Sequence, residues 1–172
     1  MFNIGIVSDD VSIMNVEKED MLEIQKWINN QRVHNIDAKK NYGIKEFYAR
    51  YLEYYVSEGE YFVKVLSGSE LIGIIKGRIE FKNPNEVWIM CYLIEFKLYS
   101  TDLATSIITK FLTHLYENYG MRNFYTFVSV NNQEMLELWK NNDFEISRVT
   151  NNFLEIDGGK DKDILILKKT IQ

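Results

Sequence analysis

The sequence has little cysteine or proline and no long hydrophobic run. Its single cysteine, Cys91, cannot form an internal disulfide, which is typical of proteins from a reducing compartment. Its single proline, Pro84, does not belong to a Pro/Gly/Ser-rich linker. The N-terminal apolar segment is too short for a signal peptide or a membrane span. We therefore expect a single cytoplasmic domain over residues 1–172 that does not bind a membrane.

Clustered positive charge is also lacking. The chain has 20 Lys and Arg residues against 25 Asp and Glu residues, and acidic and basic positions alternate. Binding to a nucleic-acid duplex needs a basic face that neutralises several phosphates. Nucleic-acid binding is therefore not expected, and Lys39-Lys40 and Lys168-Lys169 are interpreted as solvated surface.

No metal-ligand pattern is present. The two histidines, His34 and His114, show no ligand spacing to other His, Cys or carboxylate residues, so a metal site is not expected. Cys91 lies in an apolar segment with no histidine near it in the sequence. We interpret it as a buried small residue rather than a nucleophile.

What the sequence does have is regular apolar periodicity, of period 2 in some segments and of helical spacing in others. This pattern predicts an α/β (α+β) protein with a mixed, mostly antiparallel sheet and helices on both faces. The segment Glu86–Ile94 is apolar almost throughout, which predicts a central strand covered on both faces. The predicted helices cover about 17–30, Ile44–Ser57, Asp102–Tyr119 and Asn132–Asn141. The apolar side of the second is predicted to carry Ile44, Phe47, Tyr48, Tyr51, Leu52 and Tyr55. The third is predicted to end at Gly120, with an apolar side of Ala104, Ile107, Ile108, Phe111, Leu112, Leu115 and Tyr119. The predicted strands are Phe2–Val7, Val11–Val16, Glu60–Leu66, Leu71–Phe81, Glu86–Ile94, Phe124–Val130, Phe144–Ile156 and Asp163–Lys169, with a turn at Asp157-Gly158-Gly159 between the last two.

The segment most informative for function is the central strand with the polar loop Glu95–Thr101 and the long helix that follows them. The first turn of a helix has unpaired N–H groups and the positive end of the helix dipole, and it readily holds a phosphate. Such turns occur in any α/β protein. The turn alone therefore favours a structural role over a phosphate site.

The stretch from Val128 to Phe144 resembles the GNAT acetyltransferase family. That family has a strand ending in Val, then an Asn, a Leu-Tyr pair and Gly-Phe. Asn132, Leu138 and Phe144 match, whereas Trp139 replaces the Tyr and Asp143 replaces the Gly. Further segments, in the same order and at similar spacing, resemble the ribosomal-protein N-acetyltransferase branch: Val16–Asn30, Leu71–Ile75 and Phe153–Leu167.

The resemblance implies transfer of an acetyl group from acetyl-CoA, a co-substrate, to a primary amine that attacks the thioester directly. Acetyl-CoA would lie in a splay between the Glu86–Ile94 and Phe124–Val130 strands. Its pyrophosphate would bind backbone amides that open the long helix, Asn132 would meet the pantetheine arm, and a strand amide near Ile94 would polarise the thioester carbonyl. The cofactor-binding residues implied in this way are Ile94, Tyr99, Ser100, Thr101, Asp102, Leu103, Ala104, Thr105, Asn132 and Trp139.

An amine of pKa about 10.4 is almost fully protonated at pH 7, so a base must accept a proton before attack. Glu95, at the mouth of the splay, is the candidate catalytic base, and a solvated strand-end carboxylate is an equally good interpretation. The acceptor is left open as a small-molecule or peptide amine, and a homodimer is also left open. The family's acceptor site borders the second helix, where an aromatic stripe fits either packing or an amine groove: Phe47, Tyr48, Tyr51, Tyr54 and Tyr55.

The phosphate loop departs from the family pattern Arg/Gln-x-x-Gly-x-Gly/Ala, since residues 99–104 read Tyr-Ser-Thr-Asp-Leu-Ala. Asp102 stands where glycine lets the backbone approach a pyrophosphate. Repulsion between its carboxylate and one phosphate charge would be on the order of 3–4 kcal/mol before screening. Asp102 could instead cap its own helix and use the N–H groups that a phosphate needs, in which case the hydroxyls of Ser100 and Thr101 could be the donors. Because Trp139 also cannot protonate a leaving thiolate, a non-catalytic GNAT-fold module is the second hypothesis.

Overall fold

The computed structural model describes residues 1–31, 43–151 and 163–172. Within them the chain forms two strands, two helices, three strands, a helix, a strand, a helix and two strands, in the same order as the predicted strands and helices. The helices are α1 Met21–Gln31, α2 Ile44–Val56, α3 Asp102–Tyr119 and α4 Gln133–Asn141. The strands are β1 Gly5–Val7, β2 Ser12–Asn15, β3 Glu60–Ser67, β4 Glu70–Glu80, β5 Glu86–Ile94, β6 Asn123–Ser129, β7 Glu145–Thr150 and β8 Ile164–Thr170.

The strands form one sheet in the order β1-β2-β3-β4-β5-β6-β8-β7. β5 and β6 pair in parallel, whereas β1–β2, β2–β3, β6–β8 and β7–β8 are antiparallel. A parallel pair needs a crossover connection, and α3 supplies it here. The predicted mixed, mostly antiparallel sheet is confirmed.

The chain divides into two compact units. Unit 1 comprises Met1–Gly77 and Cys91–Lys97, and unit 2 comprises Arg78–Met90 and Leu98–Gln172. Each has its own buried apolar residues. That the two act as one domain, as expected from the sequence, stays a prediction.

In unit 1, α1 and α2 pack on an apolar cluster that includes Phe62 and Ile74 of the sheet. The side of α2 that is buried carries Phe47, Tyr51 and Tyr54. The predicted apolar side of this helix also included Leu52 and Tyr55, which are 57% and 59% exposed, so that part of the prediction is wrong. Both rows of apolar residues have helical spacing, and the periodicity alone does not decide which row is buried.

In unit 2, α3 buries an apolar stripe and ends at Gly120, as predicted. Gly120 has φ 66° and donates its N–H toward the carbonyls of Leu115 and Tyr116, a left-handed cap that glycine adopts without a steric penalty. Tyr119, which was expected on the apolar side, is 41% exposed, so the stripe stops earlier. Its buried members are Ala104, Ile107, Ile108, Phe111, Leu112 and Leu115.

β5 is central in the sheet order but is not covered on both faces. Ile89 and Tyr92 are buried, whereas Met90 between them is 45% exposed. The alternation of buried residues changes phase at Met90–Cys91, which is typical of a β-bulge. The prediction failed because apolar side chains also occupy partly exposed faces, so an apolar run does not prove two-sided burial.

Some predictions fall outside the described residues. These are His34, Lys39-Lys40, the last part of the predicted strand Phe144–Ile156, and the turn at Asp157-Gly158-Gly159. The described part of the next-to-last strand is β7, which begins at Glu145 and ends at Thr150.

Candidate functional site

The predicted site residues belong to different units. Ile94 and Glu95 are in unit 1, whereas residues 99–105, Asn132 and Trp139 are in unit 2. The parallel ladder of β5 with β6 runs from Glu86–Asn123 to Ile89–Thr126 in unit 2, and β6 continues to Ser129. The expected splay for acetyl-CoA stays a prediction.

The first turn of α3 keeps open hydrogen-bond donors. Its N-cap, Thr101, is extended and makes no side-chain cap bond, and its hydroxyl donates to the Leu98 carbonyl at 2.6 Å. The Thr101 hydroxyl is thus already used, contrary to its expected role as a spare donor. Within the described residues, the backbone N–H groups of Asp102 and Leu103 have no acceptor. Open donors at the positive end of an 18-residue helix can hold an anion.

Asp102 does not cap α3. It is the first helical residue and is exposed, and its carboxylate accepts no hydrogen bond within the described part of the chain. The capping alternative is therefore wrong, because the N-cap is the extended residue before the helix, Thr101. A carboxylate in the first turn of a helix interacts favourably with the positive end of the helix dipole. Because the Asp102 carboxylate is exposed, solvent and salt screen its repulsion of an anion.

Farther into α3, the Thr105 side chain contacts a residue that sequence reasoning missed. Asn142 is only 4% exposed, and its Nδ2 donates to Leu138 O at 2.8 Å and to Thr105 Oγ1 at 3.3 Å. Its backbone carbonyl accepts from Lys169 Nζ at 2.9 Å. The one sequence feature that could have indicated Asn142 is its place as an uncharged polar residue between the apolar residues Trp139 and Phe144.

Asp143, which replaces the family's glycine, has φ 62°. This left-handed conformation explains why glycine suits the position, and aspartate tolerates it better than most residues. Its carboxylate lies 3.2 Å from Lys169 Nζ and is 87% exposed. The turn after α4 is thus kept despite the substitution.

Asn132 is the N-cap of α4. Its Oδ1 accepts from the Met135 N–H at 3.2 Å, and its own N–H donates to Ser129 O at 3.0 Å. The carbonyl end of this side chain therefore stabilises α4. Contact with the pantetheine arm stays a prediction.

Trp139 lies in the interior of unit 2. It is 1% exposed, and its ring packs edge-to-face on Phe144 with 4.8 Å between centroids. Its indole offers little surface to a ligand. Its predicted role in binding the cofactor is untested.

In unit 1, the candidate base Glu95 directly follows the fully buried Ile94 at the end of β5. Its N–H donates to Ile72 O at 2.9 Å, so its backbone is fixed. Its side chain is 16% exposed, and Oε2 lies 2.8 Å from Lys97 Nζ. The hydrogen bond to Glu95 raises the pKa of Lys97 above its ordinary value. Glu95 thus has an ammonium group already beside it.

Cys91 is partly buried and packs against the unit 1 cluster. Burial raises the pKa of its thiol, and Lys76 opposes this effect only in part. Its thiolate is therefore scarce at neutral pH, as expected for a packing residue. In residues 1–31, 43–151 and 163–172, no three His, Cys, Asp or Glu side chains are grouped to hold a metal ion. No helix in these ranges is long and apolar enough to cross a membrane.

The family model of the acetyltransferase (GNAT) domain matches residues 13–163. This match covers most of the sequence and includes α3, β6 and α4. The chain therefore belongs to the GNAT family and carries an acetyltransferase domain. None of the curated proteins matches it in sequence.

Solved structures share the fold at low sequence identity. Spermidine N-acetyltransferase from Vibrio cholerae, in complex with CoA and spermine, is 16% identical with a TM-score of 0.79, covering 95% of this chain and 96% of that chain. RimL, a ribosomal L7/L12 α-N-protein acetyltransferase in complex with CoA, is 13% identical with a TM-score of 0.82, covering 96% and 97%. The microcin C7 self-immunity acetyltransferase MccE, in complex with acetyl-CoA and AMP, is 16% identical with a TM-score of 0.79, covering 95% and 94%. At these identities the likeness concerns the fold alone.

Proposed function

We propose that this protein is an acetyl-CoA-dependent N-acetyltransferase acting on a primary amine. The observation that carries the proposal is the open first turn of α3 in a chain whose residues 13–163 match the GNAT acetyltransferase domain. The Asp102 and Leu103 amides and the helix dipole would bind the pyrophosphate of acetyl-CoA. The exposed Asp102 carboxylate lowers the affinity but leaves these amides available.

The amine attacks the thioester carbonyl directly, a C–N bond forms, and the C–S bond breaks. Glu95 accepts the proton that the ammonium loses before attack, and its carboxyl group lies 2.8 Å from Lys97 Nζ. The second proton, lost from the nitrogen as the C–S bond breaks, passes to solvent. CoA leaves as a thiolate, since the indole of Trp139 is not an acid. A thiol pKa of about 8.5 makes this departure tolerable without a donor.

We infer that the acceptor is a small molecule or a peptide with a free amine. The similar structures include a spermidine N-acetyltransferase and a ribosomal-protein N-acetyltransferase, whose named acceptors are amines of these two kinds. The free Cys91 thiol supports action in the cytoplasm. A homodimer is compatible with this proposal, and sedimentation would decide it.

A second candidate, a non-catalytic GNAT-fold binding module, is favoured by two substitutions. Asp102 adds negative charge at the first turn of α3, and Trp139 fills the interior of unit 2 where the family has a tyrosine. Both changes would weaken or slow an acetyltransferase. They leave the open amides of α3 in place, so the enzyme is the preferred proposal.

Thermal unfolding with and without acetyl-CoA separates the candidates. At a ligand concentration 100 times the Kd, binding to the folded state adds about 2.7 kcal/mol, which corresponds to a Tm rise of about 5–10 °C for a chain of this size. A panel of amines, assayed by release of CoA thiol, would then identify the acceptor. No Tm shift with acetyl-CoA or CoA would contradict the enzyme.

Once an acceptor is known, Glu95→Gln tests the base. We expect kcat to fall by about 100-fold or more, because general base catalysis typically contributes 10²–10⁴-fold. Glu23→Gln, an exposed carboxylate in the same unit, is the matched control and should keep full activity. Equal activity of the two variants would remove Glu95 from the mechanism.

A further inference from the structure

A buried asparagine in unit 2 joins three elements through its side-chain amide and its backbone carbonyl, and it has no part in the mechanism proposed above. Asn142 follows the last residue of α4 and is 4% exposed. Its Nδ2 reaches Leu138 O in α4 and Thr105 Oγ1 in α3, and its carbonyl accepts from Lys169 of β8. Because burying an unpaired amide is costly, these bonds hold Asn142 in one orientation.

The amide orientation follows from its partners. A backbone carbonyl only accepts hydrogen bonds, so the atom 2.8 Å from Leu138 O must be the NH2 nitrogen. The same nitrogen therefore donates its second N–H to Thr105 Oγ1. Thr105 Oγ1 is the acceptor in this contact.

The consequence concerns the proton of the Thr105 hydroxyl. A hydroxyl has one proton to donate and two lone pairs, and Asn142 occupies a lone pair. A threonine within a helix often donates its proton to the carbonyl four residues earlier, here that of Thr101. This bond is not formed, and within the described residues the Thr105 hydroxyl donates to no acceptor. The Thr105 O–H is thus available to a ligand.

We propose that Asn142 is a positioning residue for acetyl-CoA, which holds Thr105 Oγ1 so that its hydroxyl donates to the pyrophosphate at the start of α3. The inference rests on the proposed function. It adds a donor to a loop in which Asp102 stands at the family's glycine position and the Thr101 hydroxyl is bonded to Leu98. Asn142 itself acts only through Thr105.

The test is a double-mutant cycle read by titration calorimetry with acetyl-CoA. Thr105→Val removes the hydroxyl at nearly constant shape, and we expect the Kd to rise about 10-fold or more, as for loss of a hydrogen bond to a charged group. Asn142→Ala should raise it about 3- to 10-fold, because the hydroxyl remains but is no longer oriented. The double variant should bind no more weakly than Thr105→Val, and Thr105→Ser should restore most of the affinity.

Two controls separate positioning from a general structural defect. Asn141→Ala changes an exposed asparagine next in the chain and should leave the Kd unchanged. In the steady-state assay, Asn142→Ala should raise the KM for acetyl-CoA while kcat stays within about twofold, since only binding of the pyrophosphate is altered. Should Asn142→Ala not fold, Asn142→Ser, which also lacks the Nδ2 donor, takes its place in the cycle with the same expected rise in Kd.

Additive losses in the cycle, a wild-type Kd in Asn142→Ala, or a Thr105→Ser variant as weak as Thr105→Val would each overturn the inference and leave the proposed function standing. Failure of the wild-type protein to bind acetyl-CoA would instead overturn the proposed function, and this inference with it.

Discussion

The helices α3 and α4 both belong to unit 2, yet their first turns differ. In α4 the N-cap Asn132 closes the turn, because its Oδ1 accepts from the Met135 N–H. In α3 the N-cap Thr101 donates its hydroxyl backward to Leu98, and the amides of Asp102 and Leu103 are left without acceptors in the described residues. The first turn of α4 is capped by one of its own side chains, whereas the first turn of α3 keeps two N–H donors without acceptors in the described residues.

An uncapped helix start lowers stability by about 0.5–2 kcal/mol relative to a capped one. The uncapped start of α3 therefore lowers the free energy of unfolding slightly, and an anion bound to the open N–H groups would raise it again. The start of α3, the proposed binding site for the pyrophosphate, thus differs from the start of α4 in the hydrogen bonds that its sequence does not form. The first three of the four predictions below compare the two helices, and the fourth concerns the other end of α3.

The largest effect is expected where α4 is anchored. Trp139→Ala should lower the free energy of unfolding by about 3–5 kcal/mol, because it removes a large side chain that is 1% exposed. Asp102→Ala, at the exposed start of α3, should cost less than about 1 kcal/mol. Urea denaturation measures both. Similar losses in the two variants would contradict the assignment of α4 as structural.

The next effect concerns affinity. Asp102→Asn removes the charge at the start of α3, and the Kd for acetyl-CoA should fall by about 10-fold, less than the unscreened repulsion implies because Asp102 is exposed. The free protein should become slightly less stable, since a favourable charge at the helix dipole is lost. Glu134→Gln, in the first turn of α4, is the matched control and should leave the Kd unchanged. An unchanged or higher Kd for Asp102→Asn would mean that the anion binds elsewhere.

A smaller effect compares the caps themselves. Asn132→Ala should lower stability by about 1 kcal/mol, or about 2–4 °C in Tm, because the Met135 N–H loses its acceptor. Thr101→Ala should lower it by only a few tenths of a kcal/mol, roughly that of a solvent-exposed hydrogen bond, since its hydroxyl does not cap α3. Differential scanning calorimetry of the two variants checks the ranking. A larger loss in Thr101→Ala would show that α3 is the capped helix.

The smallest effect lies toward the closed end of α3. Burial lowers the pKa of His114 from its ordinary value of 6.5, although Glu117 partly opposes this, and its Nε2 is buried without a partner in the described residues. The unfolded chain therefore binds the proton more tightly, and acidification below about pH 6.5 should destabilise the native state. In His114→Gln, the fall of Tm between pH 7 and pH 5 should be smaller than in the wild type. The same fall in both proteins would assign the pH dependence to other groups.

The sequence predicted the order of the elements and the end of α3 because hydrophobic periodicity and the Gly120 cap are local signals. It failed on the two-sided burial of β5 and on the exposed Leu52 and Tyr55 of α2. Burial depends on which elements pack together, and apolar content does not report that.

The site was predictable in part. Family likeness pointed to residues 99–105 as the phosphate-binding segment, which stays a prediction, and whether Asp102 caps α3 could be decided only from the backbone conformation. Asn142 escaped notice because its importance comes from contacts with Thr105 and Lys169, which are far from it in sequence. Long-range hydrogen bonds of this kind leave no periodic signal.

Binding of the acetyl-CoA pyrophosphate at the first turn of α3 can be followed through the backbone amides in a ¹H–¹⁵N correlation spectrum while acetyl-CoA is added. We expect the Asp102 and Leu103 resonances to shift downfield, as is usual when free amides gain a phosphate acceptor. The Met135 amide, already bonded to Asn132, should move far less. Unshifted Asp102 and Leu103 resonances at saturating acetyl-CoA would show that these amides do not hold the pyrophosphate.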